Sequence, residues 1–159
     1  MTASRILMVA SLGFAIMALP ACKRGDAKVD VPPEAVPLMD KRWTYDAEAS
    51  RTANLTKAGE ATGIKNLKDI KLGGDVKTIV DFFSEKSLRF YAYGQLMYEV
   101  SYSMGDTEHA PFSMAGKTLT LYEPGNQDKS ETFTVQEASA NKLVLVNDRT
   151  RVVEIYAAP

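Results

Sequence analysis

Cysteine, histidine and tryptophan each occur only once in the 159 residues. A lone thiol cannot close an intramolecular disulfide, so a disulfide-stapled scaffold is excluded. One histidine and one cysteine are too few for the His- and Cys-rich ligand sets of ordinary zinc centres. An excess of charge of one sign is also lacking. Against 20 acidic residues stand 19 Lys and Arg, a net charge of -1, which leaves no electrostatic drive toward nucleic acid. Outside the N-terminus there is no long apolar run, so a bundle of membrane-spanning helices is ruled out. No Gly-x-Ser-x-Gly elbow, Gly-x-Gly-x-x-Gly fingerprint or P-loop occurs, which removes the common sequence-readable enzyme classes. What remains is a 45% hydrophobic, 25% charged chain, an ordinary balance for one globular domain.

The N-terminus carries an address. Arg5 precedes the almost wholly apolar run Ile6–Leu19, which Gly13 interrupts and Pro20 follows, and which is shorter than the ~20 residues needed to cross a bilayer. Such a run suits the core of a secretory signal. Beyond Cys22 the composition changes at once to Lys23-Arg24-Gly25-Asp26. The stretch Leu19-Pro20-Ala21-Cys22 resembles a bacterial lipobox, in which a branched apolar residue and small residues precede the cysteine that receives lipid. The resemblance implies that residues 1–21 are a lipoprotein signal peptide and that Cys22 is the lipidation site. Two or more acyl chains would then moor the protein to a membrane without crossing it. Lys23, rather than Asp, after the cysteine resembles the outer-membrane sorting pattern of Gram-negative cells. The resemblance implies a place in the bacterial cell envelope, at the outer membrane and facing the periplasm, with a Gram-positive surface as the alternative.

Residues 22–38 contain Pro32, Pro33 and Pro37 and few apolar side chains, so they are expected to form a disordered tether. The folded domain is expected over residues 39–159. Trp43 and Tyr45 alternate with polar neighbours as in a short strand, and Asp46 can cap a helix beginning at Ala47. Arg51 to Thr62 holds almost no large apolar residue, so a helix there would be weakly held. The spacing of Val76, Ile79, Val80 and Phe83 predicts an amphipathic helix over Asp75–Lys86.

After residue 87 the period changes from 3.6 to 2. Leu88–Tyr93, Leu96–Met104, Pro111–Met114, Lys117–Tyr122, Glu131–Glu137, Lys142–Val146 and Thr150–Tyr156 read as successive strands joined by hairpin-sized turns, including Pro124-Gly125-Asn126. The expected class is mainly β (α+β): an antiparallel meander curled into a barrel or half-barrel, which hides its edges, preceded by one or two short helices. The run Phe112 to Leu121 with Gly116-Lys117, then Phe133-Thr134-Val135, then Leu143-Val144-Leu145, is similar to small lipocalin-like lipoproteins of bacteria. That resemblance implies strands wrapped around an apolar interior. The triplet Lys41-Arg42-Trp43 stands where lipocalins carry Gly-x-Trp.

Few residues suggest chemistry. Asp106, Glu108 and His109 sit together but read as a solvated hairpin loop rather than a metal site, and neither a metal nor another cofactor is expected. Glu99, Glu123, Glu131 and Glu154 are spread through strands, and most of them are expected to face outward, solvated and interleaved with lysine. Asn54-Leu55-Thr56 spells a glycosylation sequon. The aromatic density of Phe90, Tyr91, Tyr93, Tyr98 and Tyr102 is more suggestive. Phe90, Tyr98 and Tyr102 are candidate ligand-binding residues, because rings supply contact area and phenols a polar handle; the alternative is a packed barrel core. The functional expectation is a non-catalytic binding module, anchored through Cys22, for a small apolar ligand or a polypeptide. The alternative is a structural or interaction lipoprotein without a pocket that serves an envelope protein.

Overall fold

The computed structural model describes residues 29–71, 85–102 and 105–159. The expected signal peptide, Cys22 and nearly all of the helix expected over Asp75–Lys86 lie outside them; Lys86, which is described, is extended chain leading into a strand. Eight strands follow one another in sequence order: β1 (Arg42–Tyr45), β2 (Ser87–Ala92), β3 (Leu96–Ser101), β4 (Thr107–Ala115), β5 (Thr118–Glu123), β6 (Asn126–Ala138), β7 (Lys142–Asn147) and β8 (Val153–Ala157). Each pairs antiparallel with the next, and β8 pairs with β1, so the meander closes into a complete barrel. Among the described residues, one α-helix, α1 (Ala47–Thr62), is inserted between β1 and β2.

The period-2 pattern explains which side chains fill the interior. On β2, Leu88 and Phe90 point inward, and on β3 Tyr98 and Val100. Ala110 and Phe112 on β4, Leu119 and Leu121 on β5, and Phe133 and Val135 on β6 do the same, all being 8% exposed or less. The turn between β5 and β6 needs Gly125 at φ 75, a left-handed conformation that glycine adopts without steric cost.

The chain enters the barrel earlier than the expected boundary at residue 39. Within the segment read as a tether, Val36–Leu38 form a 3-10 turn, and Ala35 and Leu38 are fully buried. The prolines remove donors but preset the backbone of a turn: the Ala35 amide donates to the Pro32 carbonyl at 2.9 Å, and Val36 to Pro33 at 3.3 Å. The Trp43 indole donates to the Leu38 carbonyl at 2.9 Å, and Glu34 accepts from the Gly116 amide at 3.0 Å. Residues 34–39 thereby stopper one end of the barrel, beside the β4–β5 turn. Phe90 meets Phe112 edge-to-face at 5.1 Å in the same closed end.

Closure on the opposite side is less regular. β1 gives β8 only the pairs Thr44↔Ala157 and Tyr45↔Tyr156. Beyond Tyr45 the backbone of β8 would be left without a strand partner, and α1 supplies one through its side chains. Ser50 Oγ accepts from the Ile155 amide at 2.9 Å. Asn54 accepts from the Val153 amide at 2.9 Å through Oδ1 and donates to the Val153 carbonyl at 2.8 Å through Nδ2. The helix is capped by Asp46, whose carboxylate accepts from the Ala49 amide at 2.9 Å. Its buried residues are Ser50, Asn54 and Gly59, so polar groups fasten it where apolar ones usually do. The sequon at Asn54 is therefore an interior structural amide with both polar atoms engaged.

Candidate functional site

Among the described residues, none closes the opposite end of the barrel. There a cavity of about 680 Å³ is lined below by Leu88, Val100, Leu121 and Phe133, and by the rings of Tyr98 and Tyr102. Its rim carries Glu123, Asp128, Lys129 and Glu131 from the β5–β6 hairpin, together with Arg149 from the β7–β8 loop. Of the three residues proposed from sequence, Tyr98 and Tyr102 line this space. Phe90 does not: it is fully buried in the packed closed end, against Phe112 and Tyr98.

Tyr98 is fixed by its phenol, which donates to the Tyr122 carbonyl at 2.8 Å. Burial, assisted by the charges of Tyr102, Glu108, Glu131 and Glu123, pushes this phenol up to about 12. Burial also raises Tyr102, with Glu108, Glu154 and Glu131 adding to the effect. Both therefore enter any contact at neutral pH as uncharged hydroxyls.

A charged cluster adjoins the cavity. Glu154, expected on the outer face, is 4% exposed and points inward in phase with Tyr156. Lys86 Nζ lies 3.1 Å from its carboxylate, the Tyr156 hydroxyl donates to the same oxygen, and the ammonium stands 5.8 Å from the Tyr156 ring centre. Desolvating two opposite charges costs several kcal/mol, which close pairing and the phenol offset. Burial first, then the Glu154 charge and hydrogen bond, drive the Tyr156 phenol well above its ordinary value. Sequence reasoning missed this cluster, although its signal was present: Val152, Glu154 and Tyr156 share one phase of the alternation, and the other two belong to the core.

The other carboxylates divide. Glu99 faces outward and meets Arg42 at 3.4 Å. Glu123 and Glu131 are solvated, as expected, but stand on the cavity rim rather than the outer face, because their strands carry them inward at this end. His109 lies on the outside of β4, with Nδ1 2.9 Å from the Tyr91 hydroxyl. No group of three or more His, Cys, Asp or Glu among the described residues is gathered to hold a metal. A second groove of about 660 Å³ lies between α1 and the outside of β6–β8, between Lys57 and Glu60 on one wall and Gln136 and Lys142 on the other.

Scanned against family models, curated proteins and solved structures, the chain matches none.

Proposed function

We propose that this protein is a lipid-anchored bacterial envelope protein whose barrel is a non-catalytic binding module for a small, largely apolar ligand. The observation that carries the reading is the cavity of about 680 Å³ at the open end, with aliphatic walls, two neutral phenols and a polar rim. Such a composition suits a ligand that buries an apolar body and leaves a polar group toward water. The lipobox-like Leu19-Pro20-Ala21-Cys22 after an apolar run supports attachment through Cys22, and Lys23 supports the outer membrane, facing the periplasm.

Two experiments test the two halves. Titration of the purified protein with the uncharged probe N-phenyl-1-naphthylamine is expected to give saturable fluorescence enhancement with one site. Val100→Trp, which fills the cavity, is expected to abolish it while leaving a cooperative thermal transition. Enhancement that survives the filled cavity refutes the binding site. For the anchor, Cys22→Ser is expected to prevent labelling by a clickable fatty acid in the native host, and a labelled mutant refutes it.

A second reading, an interaction lipoprotein, draws on Val36 and Tyr93, which are 58% and 78% exposed. Cross-linking from Tyr93 to an envelope protein, with no probe bound in the cavity, would favour it.

A further inference from the structure

We infer that the cavity selects a cationic amphiphile, an ammonium group on a compact apolar body, over neutral and anionic molecules of the same shape; this rests on the cavity being the binding site proposed above. The argument begins with strand phase. Three strands that point apolar side chains into the barrel place a glutamate in the same phase at the open end. These are Glu108 with Ala110 and Phe112 on β4, Glu123 with Leu119 and Leu121 on β5, and Glu131 with Phe133 and Val135 on β6. A fourth inward glutamate, Glu154, is matched by Lys86 at 3.1 Å, so that pair brings no net charge to the cavity.

Two further cations line the space. Lys129 reaches Glu123 at 3.6 Å and Arg149 reaches Glu131 at 3.3 Å, but their side chains are 68% and 81% exposed. Solvent screens such pairs, and a ligand group inside the mouth competes with them at little cost. Asp128 also lines the cavity, and Glu108 stands beyond the lining at the same end. The lining alone balances Glu123, Asp128 and Glu131 against Lys86, Lys129 and Arg149; with Glu154 neutralising Lys86 and Glu108 beyond the lining, the described residues at this end carry an excess of negative charge.

The aromatic lining points the same way by a separate mechanism. Tyr98, Tyr102 and Phe133 surround the apolar floor, and the electron-rich face of an aromatic ring attracts an ammonium group. The carboxylates also act at the depth of the rings. After burial, the charges of Glu108 and Glu131 are among the causes that hold both cavity phenols in their neutral form. A field that disfavours a phenolate there disfavours a bound carboxylate or phosphate for the same reason and favours a cation.

The test uses three ligands with one tail, decyltrimethylammonium, decanol and decanoate, each below its micelle concentration, titrated calorimetrically into the purified protein. The ammonium is expected to bind on the order of tenfold tighter than decanol at low salt, with decanoate weakest. The preference is expected to shrink in 0.5 M NaCl as screening grows, and in the double variant Glu108→Gln/Glu131→Gln, whose altered groups lie at the solvent-facing mouth. Decanol binding with decanoate equal to or tighter than the ammonium overturns the inference and leaves the apolar site standing. A preference that persists undiminished in the double variant also overturns it. Failure of all three ligands to bind overturns both the inference and the site.

Discussion

Replacing Asn54 by alanine removes one side-chain amide from the outside of the barrel, yet the expected loss is that of a core mutation. Asn54 is 6% exposed and Val153, which it serves, 7%. The amide satisfies both the N–H and the C=O of Val153, at 2.9 and 2.8 Å, where β1 has ended and no strand lies alongside. Its third bond, to the Ser50 carbonyl at 2.8 Å, is to the group one helical turn earlier and is the least costly to lose. Each orphaned buried backbone group costs about 1–3 kcal/mol, so the two at Val153 place the penalty near 3 kcal/mol, allowing for some water entry. For a domain stable by ~5–15 kcal/mol that is a large fraction. Urea unfolding followed by circular dichroism measures it, and the exposed Thr56→Ala on the same helix serves as the control, expected within ~0.5 kcal/mol of wild type. Amide hydrogen exchange adds a local readout: the Val153 and Ile155 amides are expected to be protected in the wild type, and Val153 to exchange far faster in the variant. A cost below ~1 kcal/mol, or unchanged Val153 exchange, refutes the idea that polar side chains complete the barrel seam.

Three other perturbations probe different forces. In Gly59→Ala a new Cβ would stand 2.7 Å from Ile70 Cδ1 and 2.8 Å from the Ile64 carbonyl oxygen. The clash with backbone should outweigh the ~1 kcal/mol gained in helix propensity, so a lower Tm is expected, and a higher one refutes the close approach. Lys86→Met leaves Glu154 buried without its ammonium, with an expected loss of about 3–5 kcal/mol. Lys86→Met/Glu154→Met is expected to recover most of that loss in the same urea assay; a double variant no better than the single refutes the desolvation argument. Alkaline titration tests the phenols: Tyr98 is pushed up to about 12, so the folded state holds its proton more tightly than the unfolded chain, whose tyrosines ionise near ~10. Its stabilising contribution is then complete below pH ~10 and is lost as pH rises toward 12. Absorbance at 295 nm is expected to show late tyrosinate formation accompanied by unfolding, and its completion before unfolding refutes the assignment.

The strands were legible because a barrel imposes one simple constraint on each: alternate side chains must be apolar. Leu88 and Phe90, Leu119 and Leu121, and Phe133 and Val135 announce both the strand and its inner face. Asp46 announced the start of α1 through its short acceptor side chain. Its hold on the barrel was not legible from apolar spacing, since Ser50 and Asn54 satisfy backbone groups more than 90 residues away, and no local pattern reports such a pairing. The proline-containing segment misled for a related reason. Missing donors argue against helix and sheet, but a 3-10 turn that buries Ala35 and Leu38 needs few of them.

β7 shows why the binding site was harder to read than the fold. From Leu143 to Asn147 every residue is buried, because Leu143 and Leu145 face the barrel interior while Val144 and Val146 form a second cluster with Val153 and Ala53 on the outside, beneath α1. Both faces of that strand are covered, so alternation vanishes where the helix lies, and inside cannot be told from outside in the local sequence. Phase must be borrowed from neighbouring strands. Two positions toward the open end from Leu121, Phe133 and Tyr156 along their own strands stand Glu123, Glu131 and Glu154, and the register sets Glu131 opposite Leu121 and Glu154 opposite Leu145. Each had looked like an ordinary surface carboxylate when its strand was read alone. On each of these strands the inward face changes from apolar to acidic within one step, and the site is a property of several strands read together rather than of any single motif.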